Sequence, residues 1–118
     1  MSMFSEPPSF SETLAQRKES ARHTLRSASP QELHALITEL FPDQTHPFAK
    51  AFSNFVDEHR SESAIRGETS DGIAFVYYPR SNRGMWYKYA GSMVQGVGLL
   101  GENSLKALSE ICILAGHF

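Results

Sequence analysis

The chain has 118 residues, 41% of them apolar and 20% charged, with a net charge of −2 and a single cysteine. These values suit one ordinary globular domain with a core of its own. They argue against a polyanion binder by bulk charge, against an internal disulfide framework, and, lacking any apolar run of roughly 18 residues, against a membrane span.

Residues 1–8 read as a tail that Pro7 and Pro8 close. No apolar leader is visible in MSMFSEPPSFSE, so a cytoplasmic protein is expected. Residues 9–118 are expected to form one compact domain. Ser9 to Glu12 has capping-box spacing, which predicts a first helix from Phe10 to Arg26 with a thin apolar stripe. Ser29-Pro30-Gln31-Glu32 is a stronger start signal, and Leu33, Leu36, Ile37, Leu40 and Phe41 follow it at helical spacing until Pro42. Thr45 is the expected cap of a third helix, with Pro47 in its first turn and Phe48, Phe52, Phe55 and Val56 on one stripe.

The period then changes to that of strands. Ser63 to Arg66 reads as a short strand, and Thr69 to Gly72 as a turn. Ile73–Tyr78 and Met85–Tyr89 are rich in strand formers, with the six residues Pro79 to Gly84 between them. Met93 to Leu100 adds a further strand, and Asn103 or Ser104 would cap a last helix that ends at Gly116. The expected fold is α+β: a small antiparallel sheet of three or four strands, centred on a hairpin at about 73–90, packed with N-terminal helices and a C-terminal helix.

Several chemistries find little support. Gly96-Val97-Gly98-Leu99-Leu100-Gly101 has the G-x-G-x-x-G spacing, but no strand and acid follow it, so the glycines read as a bent strand or as backbone passing under an aromatic ring. The five histidines are scattered without ligand spacing. Cys112 lies on an apolar helical face and reads as a small hydrophobe. No nucleophile elbow occurs. No catalytic residue, cofactor or metal is therefore expected. An enzyme would instead need a concave pocket that gathers some of Asp57, Glu58, His59, Arg60 and Arg66, with at least one strongly shifted pKa.

The stretch Phe75 to Gly91 holds all four tyrosines, the only tryptophan and three cations, with no acid. Those three charges leave −5 on the rest of a chain of net charge −2. Either helices cover both faces of the sheet, or one face exposes aromatics beside cations. On the second reading Tyr78, Trp86 and Lys88 form a contact face, and Arg80 and Arg83 reach from the hairpin tip. Tyr, Trp and Arg are enriched at protein hot spots, which points to a non-enzymatic interaction module of regulatory, inhibitor or immunity type. Its partner would be another protein or a second copy of the chain. A platform for single-stranded nucleic acid is the runner-up, followed by a small-ligand pocket or a small enzyme.

Overall fold

The computed structural model describes residues 25–68, 72–90, 93–114 and 116. Among them are β1 (Arg26–Ala28), α1 (Pro30–Leu40), α2 (Pro47–Glu58), β2 (Ala64–Glu68), β3 (Ile73–Tyr78), β4 (Arg83–Ala90), β5 (Met93–Leu99) and α3 (Glu102–Leu114). The five strands form one antiparallel sheet in chain order. The fold is α+β, with five strands rather than three or four. The extra strand is β1, where the first helix was expected to end. Arg26 to Ala28 pair with Ala64 to Arg66 instead. Leu25 before this strand is not helical, and residues 10–24 of that expected helix lie outside the described residues.

Local chemistry explains the helix ends. The Ser29 hydroxyl accepts the Glu32 amide at 3.2 Å, and Pro30 fills a position whose amide would be unpaired anyway. The cap of α2 is His46 rather than Thr45: His46 Nδ1 accepts the Phe48 amide at 3.1 Å. Thr45 is engaged elsewhere, donating from its amide and its hydroxyl to Asp43 Oδ1 at 3.0 and 2.6 Å. α3 starts at Glu102, before the expected caps, and Ser104 is buried within it.

The sheet has a core on each side. On one face α1 and α2 bring Leu33, Ile37, Phe52, Phe55 and Val56 against Ala74, Val76, Tyr78, Met85, Tyr87 and Val97. On the other, Leu105, Leu108, Ile111 and Cys112 of α3 pack on Ile65, Ile73, Phe75, Tyr77 and Trp86. All six side chains of β3 are buried. That explains a strand with no polar alternation. Burial also pushes the Cys112 thiol up to about 11, as suits a core residue.

The hairpin between β3 and β4 is tighter than its sequence suggested. Arg83 and Gly84 already pair with Tyr78 and Tyr77, leaving Pro79 to Asn82 as the turn. Asn82 takes a left-handed φ of 51°, a conformation asparagine tolerates. Its side chain accepts the Tyr77 hydroxyl at 2.9 Å.

Candidate functional site

The five residues expected at a partner surface do not share one. Register places Tyr78 opposite Arg83 and Phe75 opposite Trp86. Tyr78 and Arg83 therefore lie on the α1/α2 face, and Trp86 and Lys88 on the α3 face. Tyr78 has no exposed surface and Trp86 retains 9%. The expected contact face of Tyr78, Trp86 and Lys88 is thus divided by the sheet, because helices cover both sides. Arg80, Arg83 and Lys88 remain exposed. Arg83 is already balanced, donating to Glu58 at 3.2 Å with its guanidinium 5.8 Å from the Phe55 ring centre.

Around Tyr78 lies a polar cluster that joins α2 to the hairpin. His59, just past the end of α2, stacks on the Tyr78 ring at 4.6 Å and meets Phe55 edge-on. Its Nδ1 is 3.0 Å from Glu62 Oε2, and the same oxygen accepts the Ser81 hydroxyl at 2.5 Å. The Ser81 hydrogen bond, with help from His59 and Arg80, holds the Glu62 carboxyl below its ordinary range against the opposing effect of burial. Burial, and then the carboxylates of Glu62 and Asp57, push the Tyr78 phenol up to about 12. The Tyr78 hydroxyl, His59 Nε2 and Glu62 Oε1 are buried without a hydrogen-bond partner.

A carboxylate-oriented histidine resembles the wiring of a general base. Here its other ring nitrogen, Nε2, is buried without a partner beside the Tyr78 and Phe55 rings. The other members expected for an enzyme do not gather into one pocket with it. Asp57 holds His34 at 2.9 Å and Arg60 at 3.7 Å in a separate open hollow of about 520 Å³, lined also by Pro30 and Gln31. Among the described residues no three His, Cys, Asp or Glu side chains are grouped to hold a metal. No described helix is long and apolar enough to cross a membrane.

The cluster therefore reads as a structural clamp. An unpartnered buried hydroxyl costs free energy, so Tyr78→Phe is expected to leave stability unchanged or raise it by about 1 kcal/mol. Urea unfolding measures this, and a loss of that size would show that the hydroxyl has a partner.

A second region escaped the sequence reading. β5 is an edge strand, and nothing among the described residues pairs with its outer side. From Met93 to Leu100 it carries no charge and no proline. Leu99 keeps 42% of its surface exposed. α2 runs beside it in the same direction. A groove of about 510 Å³ lies where the α2 cap His46 meets Val94, lined also by Glu39, Leu40, Phe41 and Asp43. A second, of about 280 Å³, lies where the last residue of α2, Glu58, meets Leu99, with Ala51, Phe55, Arg83 and Met85. The available signal was the uncharged run itself, but sequence alone does not say which strand lies at an edge.

This arrangement defines a small α+β domain with a helix-flanked open strand. Comparison with known protein families, curated proteins and solved structures finds no match to this chain.

Proposed function

We propose that this chain is a non-enzymatic protein-interaction module that engages its partner along β5. One observation carries the reading: an uncharged seven-residue edge strand with an exposed leucine. Proteins usually blunt such edges with lysine, proline, brevity or a bulge. The opposite edge, β1, is three residues long with its arginine and serine exposed. Of these devices β5 has only a bulge: Lys88 pairs with Gly96 and Tyr89 with Val94, so Gln95 is the extra residue. An incoming strand would gain main-chain hydrogen bonds from the edge and side-chain selectivity from the adjoining grooves. Burial of the described strand tyrosines Tyr77, Tyr78 and Tyr87 weighs against the alternative of a stacking platform for nucleic acid.

The test is capture from native lysate with wild type and two variants, Gln95→Pro and Leu99→Lys. Both positions are exposed, and proline is tolerated at edges and bulges. Thermal unfolding would first establish that both variants fold. One stoichiometric protein partner, kept at high salt and lost in both, is the expected result. Identical capture by all three would overturn the reading. Nucleic acid released by salt would replace it with the runner-up.

A further inference from the structure

The two grooves beside β5 restrict what can lie there. Both open on the α1/α2 face, since Phe41 and Val94 at one and Phe55 and Met85 at the other belong to the same core. Their strand landmarks are Val94 and Leu99. On β4 the partners of these residues are Tyr89 and Met85, four positions apart, because the bulge at Gln95 absorbs one residue. An unbulged strand along β5 therefore spans the interval in four steps, about 13 Å at strand rise. An even interval keeps two side chains on one face of that strand, so both would point toward the grooves.

Charge distinguishes the two ends. The groove at Val94 is rimmed by Glu39 and Asp43, both exposed. The Thr45 hydroxyl and amide hold the Asp43 carboxyl below its ordinary value, so it is ionised at neutral pH. At the Leu99 end the Glu58 carboxylate is already matched by Arg83 at 3.2 Å. A cation gains only at the first end.

We infer that β5 takes up an extended segment of a partner protein carrying two apolar side chains four residues apart, with a lysine or arginine beside the one seated at Val94. This rests on the β5 interaction reading and adds the identity of the occupant. The uncharged edge supplies backbone pairing, the grooves take the two apolar anchors, and the carboxylates set which way the segment lies.

The probes are fluorescent ten-residue peptides in a Thr/Ser host, read by anisotropy. They carry two leucines spaced three, four or five apart, with lysine, serine or glutamate flanking either leucine. The four-spaced peptides with lysine are expected to bind about tenfold more tightly than their glutamate counterparts. Leucine-to-serine peptides should lose binding. Glu39→Lys, which leaves Asp43 facing one new cation, should abolish the charge preference while leaving the melting temperature unchanged. Equal binding at all spacings, an unchanged preference in Glu39→Lys, or no binding by any peptide would overturn the inference. So would a dimer seen by sedimentation and dispersed by Gln95→Pro, since a second copy would then fill the edge. If lysate capture still depends on β5 while the peptides fail, the interaction reading stands and the occupant is wrong.

Discussion

Gly98→Ala is expected to destabilise the protein by about 1–3 kcal/mol, the usual cost of forcing extra atoms into a filled core. The indole of Trp86 lies beside Gly96 and Gly98 of β5. A methyl at Gly98 would fall 2.7 Å from its Cε2, closer than real carbon contacts. At Gly96 the nearest indole atom would be 3.3 Å away, a tight but yielding contact. Gly96→Ala should therefore cost clearly less. The cause is checked with a double-mutant cycle. If the indole is responsible, Trp86→Phe should make Gly98→Ala far less harmful, with a coupling of about 1 kcal/mol or more. Additive losses would mean that glycine is needed for its backbone and not for the ring above it. The G-x-G spacing is thereby accounted for by packing.

The second large effect belongs to Glu62. Its carboxylate accepts from Ser81 of the hairpin and pairs with His59 beyond α2, and its side chain is 11% exposed. Hydrogen bonds to a charged group that is largely withdrawn from water contribute about 1.5–3 kcal/mol, so Glu62→Ala should lose that much at neutral pH. His59 would then keep two unpartnered ring nitrogens in an aromatic cage. The pH dependence has a definite sign. The Glu62 carboxyl is held below its ordinary 4.5 in the folded protein. Its contribution is complete above that value and disappears as pH falls through the folded value. Glu62→Gln should flatten the acid limb of the stability curve below about pH 4.5 and leave the limb above pH 6 parallel to wild type. Urea midpoints across pH 3–8 measure both, and an unchanged acid limb would show that the clamp is not ionic.

Much of the fold follows from short-range chemistry. The Ser29-Pro30 start, the stripe of Phe52, Phe55 and Val56, the run Ile73–Tyr78 and the terminal Gly116 at φ 78° all appear where spacing and capping place them. These signals depend on neighbours three or four residues away. One failure was non-local: Arg26 to Ala28 look like the end of a helix until Ala64 to Arg66 provide a ladder for them. The other was a competition between local motifs: Thr45 looks like a cap, but Asp43, two residues before it, takes its amide and hydroxyl.

The candidate sites divide in the same way. Both faces of the central hairpin were visibly apolar, and the choice between a buried and an exposed face remained open at that level. Coverage of Trp86 and Tyr78 is decided by helices that arrive from opposite ends of the chain, α3 over one and α2 over the other. The grouping of His59, Glu62 and Ser81 joins positions 19 residues apart. The composition of each layer was legible in the chain, because alternation, helical period and caps are local properties. Which layer meets water was set by packing, because that depends on strand order and on where the helices land. β5 is the last strand of the meander, and its uncharged backbone is left at the rim beside α2.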